Sequence, residues 1–269
     1  MNRNPVMAGQ FYSGSKDTLS REVARFVAKS SAQEDAIGVL SPHAGYIYSG
    51  EVAGSVLGSA KPKDTYVILG PNHTGMGVPF GLSRAKYWKT PLGDAQIDEK
   101  LSIRIKKNCD FIKDDELSHS QEHSIEVQLP FLQYLNRNFK FVPIVISYAD
   151  LGVYREIGSA IAKSVKDLKL EKNITIIASS DMTHYEGQES AKSKDSAAIE
   201  AILKLDEEAL SDRISSMDIT MCGYGPAIIM IVASKELGAK KARLVKYATS
   251  GDVSGDYSSV VGYAGIIIS

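Results

Sequence analysis

The chain has 269 residues, of which 43% are hydrophobic and 23% charged, the balance of an ordinary soluble globular protein. Its 31 Lys and Arg residues against 32 Asp and Glu residues give a formal net charge of −1, so the composition indicates no nucleic-acid-binding surface. Two cysteines cannot form a disulfide framework, and neither an apolar signal core nor a stretch of about eighteen apolar residues is present. We therefore predict a cytoplasmic protein that neither spans a membrane nor binds nucleic acid.

Short β-branched runs alternate with amphipathic segments through the first half of the chain, which is the pattern of strands alternating with helices. In chain order we predict a loop at Asn4–Gly14, a helix near Lys16–Ser30, a strand at Ala36–Leu40, a small-residue helix at Glu51–Ala60, a strand at Tyr66–Leu69, a hairpin or flap at Val78–Thr90, a helix near Gln96–Asn108, a polar loop at Lys113–Gln121 and a helix at Glu122–Leu135.

The alternation continues to the end of the chain, without an internal repeat or a linker. The remaining predicted elements are a strand at Phe139–Ser147, a helix at Leu151–Leu168, a strand at Ile174–Ser180, helices at Ser190–Leu205, Glu207–Ser216 and Ala227–Leu237, and two antiparallel strands at Ala242–Thr249 and Ser258–Ile268. We expect residues 1–269 to form a single α/β domain, with a mainly parallel central sheet and helices on both faces.

Three of the five histidines, His43, His73 and His184, each follow a strand-like run. In open α/β sheets ligands bind outside the carboxyl ends of the strands, so a shared site is favoured over three separately buried side chains. Imidazole is both a common transition-metal ligand and a general base near neutral pH, and the sequence leaves both roles open. Asp181, three residues before His184, either orients an imidazole or caps the following turn.

Cys222 opens a glycine-rich turn in front of a predicted helix, a position where the helix dipole favours a thiolate. Such a thiolate would be a metal ligand or a nucleophile, and the alternative is a small buried hydrophobic side chain. Cys109 ends an amphipathic segment and is interpreted as structural.

His119 and His123 are four residues apart across the start of the predicted helix Glu122–Leu135, a spacing at which two imidazoles can share a metal. The order differs from that of the zincins, in which Glu directly follows the first His. Alternatively, Glu122 and His123 are acid/base or orienting groups in a cleft, and His119 has a capping role.

Five blocks of sequence stand out in this order: Ser41-Pro42-His43-Ala44-Gly45-Tyr46, Leu69-Gly70-Pro71-Asn72-His73, Glu122-His123-Ser124-Ile125-Glu126, Ser179-Ser180-Asp181-Met182-Thr183-His184 and Cys222-Gly223. The series resembles the Memo family, which is named after a mammalian mediator of cell motility and has many archaeal and bacterial members. The resemblance covers essentially the whole chain.

The resemblance implies a fold similar to that of the class III extradiol dioxygenases, non-haem iron enzymes that open catechol rings. It also implies that His43, His73 and Cys222 correspond to the metal-binding trio of the family. Two further cleft residues would be Asp181 and His184, the latter at the place of the dioxygenases' acid/base histidine. His123 would line the same cleft.

The implied ligand set differs from that of the dioxygenases, whose iron is held by two histidines and a carboxylate. The resemblance makes iron the first expectation, and because a thiolate is a softer ligand than a carboxylate, copper and zinc are alternatives. The resemblance further implies metal-dependent redox chemistry or the binding of a peptide or phosphotyrosine segment, and a radical SAM protein as partner in prokaryotes.

Three functions remain open from the sequence. The preferred one is a mononuclear metal site with redox or oxygen-related chemistry on an unknown small molecule, in which His184 transfers protons and Asp181 or His123 orients it. The second is a metal-free thiol enzyme in which Cys222 attacks. The third is a binding module without catalysis, whose cleft holds a peptide or partner protein against tyrosines, namely Tyr46, Tyr48, Tyr185 and Tyr224.

Overall fold

Buried β-branched runs form the strands of one large mixed sheet. The computed structural model describes residues 2–27 and 33–269. In this part of the chain the strands are β1 (Asn2–Arg3), β2 (Gly38–Ser41), β3 (Thr65–Pro71), β4 (Phe80–Leu82), β5 (Tyr87–Thr90), β6 (Gly93–Ile97), β7 (Lys113–Asp114), β8 (Lys140–Ile146), β9 (Ile174–Ser179), β10 (His184–Glu186), β11 (Ala242–Thr249) and β12 (Val260–Ile268).

The helices fall between these strands, as the alternating pattern predicts. Over the same described residues they are α1 (Lys16–Val27), α2 (Tyr46–Ser59), α3 (Glu99–Asn108), α4 (Leu129–Leu135), α5 (Leu151–Asp167), α6 (Gln188–Leu203), α7 (Glu207–Ser216), α8 (Tyr224–Glu236) and α9 (Gly251–Ser254), with a 3-10 turn at Glu126–Gln128. None of these described helices is both long enough and apolar enough to cross a membrane.

The sheet is parallel at its centre and antiparallel toward both sides. Its main path runs β1-β5-β6-β8-β3-β9-β2-β12-β10, and the five neighbours from β6 to β2 are parallel to one another. Strand β12 pairs antiparallel with β2, β10 and β11, while β5 and β4 add antiparallel partners at the other side. The prediction of a mainly parallel sheet therefore holds for the centre, and the sheet as a whole is mixed.

Two apolar cores cover the two faces of the sheet. One contains side chains of α1, α2 and α4, and the other contains side chains of α3, α5, α6, α7 and α8. Strand β9 contributes to both cores, because Ile176 faces one and Ile177 the other. Strands that are buried on both faces consist of continuous runs of hydrophobic residues. This explains why the sequence pattern predicted these strands.

One predicted element near the middle of the chain is wrong, and a second is confirmed with a later start. Val78–Thr90 does not fold back on itself, because β4 pairs with β8 whereas β5 forms its hairpin with the unpredicted strand β6. The predicted helix at Gln96 begins only at Glu99, where the Asp98 carboxylate accepts the N–H of Leu101 as an N-cap. Residues 28–30 of the first predicted helix lie outside the described residues.

The predicted helix Glu122–Leu135 is also shorter than expected, since its first four residues are not helical. The Glu122 side chain accepts the backbone N–H groups of His123 and Ser124, which fixes this stretch as a turn. The helix follows only at Leu129, after the 3-10 turn. As a result, Glu122 and His123 lie in a loop that reaches over the end of β3. The predicted antiparallel pair at the end of the chain, β11 and β12, is confirmed.

Candidate metal centre

The carboxyl ends of three neighbouring parallel strands bring the candidate residues together. Strand β9 lies between β3 and β2, with Ser41 paired to Ser179 and Leu69 to Ala178. Each of these strands is followed, two residues after its end, by a candidate residue. His73, Asp181 and His43 therefore lie next to one another at this edge of the sheet. This is the edge at which open α/β sheets bind ligands.

Cys222 approaches the same edge from the turn in front of α8. The turn packs against the end of β9, where the Gly223 N–H donates to Ser180 Oγ at 2.9 Å. A Cβ atom at position 223 would lie 2.4 Å from the backbone oxygen of Ser179, so only glycine allows this approach. Cys222 Sγ lies 3.3 Å from His43 Nε2.

His43, His73 and Cys222 offer one ligand atom each, and these three atoms lie within 4.8 Å of one another. The structure therefore brings together the trio that the family resemblance implied, whereas the sequence pattern groups His43 and His73 with His184. The trio would surround one ion without a rearrangement of the backbone, provided that the nitrogen lone pairs point inward.

The hydrogen bonds of His43 determine its tautomer. Ser179 Oγ donates its single proton to the Ser124 backbone oxygen at 2.6 Å, and it accepts from the Gln128 side-chain amide. Its 3.0 Å contact with His43 Nδ1 is therefore donated by the imidazole. His43 Nε2 is left without a proton, and it faces Cys222 Sγ.

A carboxylate determines the tautomer of His73. Glu122 Oε1 lies 3.0 Å from His73 Nδ1, and Oε2 accepts the His73 backbone N–H at 2.7 Å. Burial acts to raise the pKa of Glu122, but the hydrogen bond from His73 and the backbone N–H groups outweigh it and lower that pKa to about 2. The ionised carboxylate only accepts, so Nδ1 of His73 carries the proton and Nε2 is free.

His184 also donates a hydrogen bond from Nδ1, but to a backbone oxygen. Its Nδ1 lies 3.0 Å from the Thr220 backbone oxygen, so it donates there and Nε2 carries the lone pair. The ring lies on the far side of β12 from β2, and it is not among the three ligand groups. Nor is His184 among the residues that line the cleft beside the trio.

Asp181 supports the site through the backbone and not through the ring of His184. Its Oδ1 accepts the His43 backbone N–H at 2.8 Å, and Oδ2 lies 4.0 Å from His43 Nε2. Burial raises the pKa of Asp181 to about 6, although the His43 N–H bond and nearby histidines oppose that rise. The expectation that Asp181 orients His184 is thus not what the hydrogen bonds show, because Thr220 has that role.

His123 lies against both imidazoles of the trio. Its ring stacks on that of His73, with centroids 4.7 Å apart, and meets His43 edge-on at 5.4 Å. Burial lowers the pKa of His123, with a partial opposing effect of the Glu122 charge, and burial likewise lowers the pKa of His43. Neutral imidazoles are the form that binds metals and accepts protons.

The environment of Cys222 contradicts the expectation of a thiolate stabilised by a helix terminus. Helix α8 begins at Tyr224, two residues after the cysteine. Burial, followed by the charge of Asp181, raises the pKa of the Cys222 thiol well above its usual range. Without a bound cation this sulfur is a thiol, whereas a coordinated metal would displace its proton.

The donor set fits a transition-metal ion. Two imidazole Nε2 atoms with their Nδ1 protons held by acceptors, together with one sulfur, form the His₂Cys combination that suits Zn, Cu and Fe. A second group of ligand type, His73, Glu122 and His123, also lies within bonding reach of a common point. Its carboxylate already accepts three backbone N–H groups and the His73 proton, so it orients the imidazole instead of binding an ion.

Several candidate residues lie elsewhere. His119 is buried against Trp88 with Nε2 on the Gly81 backbone oxygen, so it does not share a metal with His123. Cys109 is buried in the apolar core, as the structural interpretation expects. Tyr46 is also buried, and its hydroxyl donates to the Val127 backbone oxygen.

An open cleft of about 420 Å³ lies beside the trio. It is lined by Pro71, Asn72, His73, Thr74, Gly75, Ile146, Ser147, Tyr148, Tyr154, Cys222, Tyr224, Gly225 and Pro226. The sequence patterns did not single out Tyr148, Gln128 or Thr220, and they gave Ser179 no role of its own, because these roles depend on partners that are distant along the chain.

Comparisons with known proteins agree over almost the full length. A family model of Memo-like proteins matches residues 3–267. A MEMO1 family protein of Methanosarcina acetivorans is 47% identical over 268 residues, covering 99% of this chain and 98% of that protein. A MEMO1 family protein of Methanocaldococcus jannaschii is 45% identical over 285 residues, covering 99% and 98%.

One solved structure shows a similar fold. The crystal structure of an uncharacterized protein from Escherichia coli K12 matches with a TM-score of 0.56 at 14% identity. The match covers 86% of this chain and 98% of that one.

Proposed function

The chain belongs to the Memo family, and we propose that it holds one transition-metal ion between His43, His73 and Cys222 for redox or oxygen-related chemistry on a small molecule. The observation that supports this most strongly is the shared orientation of the two imidazoles. Each has its Nδ1 proton on a buried acceptor, which leaves both Nε2 lone pairs free, and that of His43 lies 3.3 Å from the sulfur. Such second acceptors are the usual companions of metal-bound histidines.

The ion would supply a Lewis-acid and electron-transfer centre, with iron as the first candidate and copper or zinc as alternatives. The protein would supply the proton chemistry around it. His184 Nε2 has a lone pair and would exchange protons with the substrate. Asp181, whose pKa is raised to about 6 by burial, would be mostly ionised at neutral pH and would support His43 as a hydrogen-bond acceptor, and the neutral ring of His123 would close the cleft beside His73.

The likeness to class III extradiol dioxygenases is part of this proposal. The parallel centre of the sheet, the helices on both faces and a histidine site at the carboxyl ends of the strands support it. The burial that raises the Cys222 pKa disfavours the metal-free thiol enzyme, which needs a thiolate without a cation. A radical SAM partner stays a prediction.

Metal analysis of the full-length protein, purified without added metal, tests the proposal. We expect about one ion per wild-type chain and less than about a tenth of that in a His43→Ala, Cys222→Ala double variant, because the double variant keeps only one ligand. X-ray absorption at the iron, copper and zinc edges would identify the ion. The matched control is Cys109→Ala, which removes a buried thiol outside the cleft and should keep the metal.

Equal metal content in the wild type and the double variant would reject the metal site. The alternative function, a binding module for a peptide or partner protein, is favoured by one observation. Ile47 and Tyr185 are 69% and 78% exposed, and Tyr185 is the direct neighbour of His184. If that module is the function, a partner should be recovered by the wild type and by the metal-free double variant equally, and lost on Tyr185→Ser.

A further inference from the structure

A second cavity lies between helix α3 and strands β4, β6 and β8, away from the metal centre. This α3 groove is lined by residues 82–86, 96–100, 102, 103, 106, 114 and 140, and its volume is about 690 Å³. It shares no lining residue with the cleft beside the trio. Strand β8 begins in the α3 groove at Lys140 and ends in the other cleft at Ile146, so the two are separated by roughly 20 Å along the strand.

The α3 groove has an apolar floor and a positively charged rim. Leu82, Ala85 and Ile97 form the floor, and all three side chains are buried. The lining contains five cationic side chains against three carboxylates, namely Arg84, Lys86, Lys100, Lys106 and Lys140 against Asp98, Glu99 and Asp114. The charge that the groove presents to a ligand is therefore positive.

Two of the three carboxylates are already engaged. Asp114 pairs with Lys106 and lies 3.8 Å from Arg84, and the Asp98 side chain accepts the N–H of Leu101. In contrast, three lysines of the rim have no carboxylate within ion-pair distance in the part of the chain that the structure describes, namely Lys86, Lys100 and Lys140. The positive charge that is left without a partner therefore belongs to these three lysines.

Helix α3 adds a buried hydroxyl to the same groove. The residues of its lining face, Glu99, Ser102, Ile103 and Lys106, follow the spacing i, i+3, i+4 and i+7 of one side of a helix. Ser102 is only 6% exposed, and its Oγ forms no hydrogen bond with any described residue. A buried hydroxyl without a partner is unfavourable, so an acceptor on a ligand would stabilise this arrangement. The first turn of α3 lies at the groove too, where unpaired N–H groups favour negative charge.

We propose that the α3 groove binds a soluble phosphomonoester, whose phosphate is held by Lys86, Lys100 and Lys140 and accepts the Ser102 hydroxyl. Its carbon skeleton would cover the apolar floor, and a cavity of this volume is in the range of small-molecule sites. A phosphate brings about two negative charges and three acceptor oxygens, whereas a carboxylate brings one charge and two oxygens. Lysines and helix N-termini are both common phosphate partners. The inference goes beyond the metal centre and does not depend on it.

Pentyl phosphate is a suitable probe, because its short chain matches an apolar floor and it has no aromatic ring. Pentanoate and 1-pentanol are the controls for the phosphate and for the charge. Titration calorimetry on the full-length protein at about pH 8, where a phosphomonoester is doubly charged, would give the dissociation constants. We expect a value below about 1 mM for pentyl phosphate and binding at least about tenfold weaker for both controls.

A lipid headgroup could present the same phosphate, and vesicles distinguish that source. Vesicles of phosphatidic acid in phosphatidylcholine carry a phosphomonoester at a membrane surface. We expect the protein to bind pentyl phosphate and to stay in solution when these vesicles are sedimented. Sedimentation with the vesicles without binding of pentyl phosphate would overturn the soluble ligand.

Variants of the rim and of the hydroxyl test the residues themselves. The double variant Lys100→Gln, Lys140→Gln should weaken pentyl phosphate binding at least about tenfold, and Ser102→Ala should weaken it about fivefold. Folding is not at risk in the lysine variants, since both side chains are exposed. The matched control is Lys192→Gln, Lys240→Gln, which removes the same charge at exposed positions outside the groove and should keep the affinity within about twofold.

The His43→Ala, Cys222→Ala double variant distinguishes the α3 groove from the metal centre. It changes no residue that lines the groove, so it should bind pentyl phosphate as tightly as the wild type, as should wild type treated with a chelator. Loss of binding in either sample would assign the anion to the metal ion and overturn the inference. A dissociation constant above about 1 mM in the wild type, or equal weakening by the two pairs of lysine substitutions, would overturn it as well. None of these outcomes bears on the metal content, which tests the proposed function separately.

Discussion

Each imidazole at the sheet edge has its Nδ1 proton on a different kind of acceptor. His43 donates to the hydroxyl of Ser179, His184 to a backbone oxygen and His73 to the carboxylate of Glu122. Only the last of these hydrogen bonds is assisted by a full charge, so it holds its ring most strongly and increases the basicity of the free nitrogen. His73 is also the most exposed member of the trio.

The first prediction concerns Glu122→Gln. The neutral amide keeps the size of the side chain, but it weakens the hydrogen bond that orients His73, and its NH₂ group faces backbone donors. We expect the metal dissociation constant to rise about 10- to 100-fold, the usual effect of losing a ligand's supporting acceptor. Competition with a chelator of known affinity measures this change.

The control for this prediction is Glu116→Gln. Glu116 also accepts a hydroxyl and a backbone N–H, from Ser83 and Arg84, but it touches none of the cleft histidines. The metal affinity of the Glu116→Gln variant should match that of the wild type. Metal affinity within about twofold of the wild type in Glu122→Gln would show that packing alone orients His73.

At the scale of elements, α2 packs unusually close to α1 because it presents glycines to Phe26. A Cβ atom at Gly54 would lie 2.4 Å from Phe26 Cβ and 2.8 Å from its backbone carbon. A Cβ atom at Gly50 would meet only the far end of the same ring. The close contact at Gly54 involves backbone atoms, which cannot move aside as a ring can. This helix follows directly from β2 and His43, so its position bears on the site.

The second prediction is that Gly54→Ala destabilises the protein despite the higher helix propensity of alanine. Overpacking against Phe26 should cost about 1–3 kcal/mol, against a gain of at most about 1 kcal/mol from propensity. For a chain of this size the net effect corresponds to a fall of roughly 5 °C in Tm, measured by calorimetry.

Gly152→Ala in α5 is the matched comparison, because a Cβ atom there meets nothing within 4 Å. That variant should be as stable as the wild type or slightly more so. A Gly54→Ala protein with an unchanged Tm would mean that the two helices separate at little cost.

At the scale of the whole molecule, the N-terminal segment fastens the loop of the site to the rest of the sheet. Arg3 donates to the backbone oxygens of His119 and Glu122 and pairs with Glu126 at 2.7 Å. Its guanidinium also lies over the Trp88 ring, 4.0 Å from the centroid, and His119 meets the same indole edge-on. Burial of this cluster fixes the loop, but it also encloses a titratable imidazole.

The third prediction follows from that enclosure and concerns stability in acid. Burial, with a smaller contribution from the Arg3 charge, lowers the pKa of His119 from 6.5 to about 3. Between these values the unfolded chain binds a proton that the folded chain does not, so stability falls as the pH drops from 6.5 toward 3. The loss should reach roughly 3 kcal/mol by about pH 4.5.

Urea unfolding of the wild type and His119→Gln at several pH values measures this effect. Glutamine keeps an amide donor for the Gly81 oxygen but does not titrate, so the wild type should lose more stability on acidification than the variant does. All other groups titrate in both proteins and cancel in the comparison. Parallel pH profiles would show that His119 makes no such contribution.

Local sequence determined most of the strands, most of the helices and the positions of His43, His73 and His184 behind buried runs. Each of these features depends on residues within one element, where the hydrophobic period alone decides the structure. The errors are also local. Strand β6 is short and half-exposed, so its period is weak, and the turn at Glu122 is made by side-chain hydrogen bonds that compete with a helix.

Only the tertiary structure decided which side chains meet and in which protonation state. The acceptor for His43 Nδ1 is 136 residues away in the chain, and the acceptor for His73 Nδ1 is 49 residues away. They come together because β9 lies between β3 and β2, and strand order depends on how the two helical layers pack. The same order half-buries Cys222, and this desolvation raises the pKa that its place near a helix start was expected to lower. Periodicity along a chain describes which face of an element is apolar, but it contains no information about which other elements that face will meet.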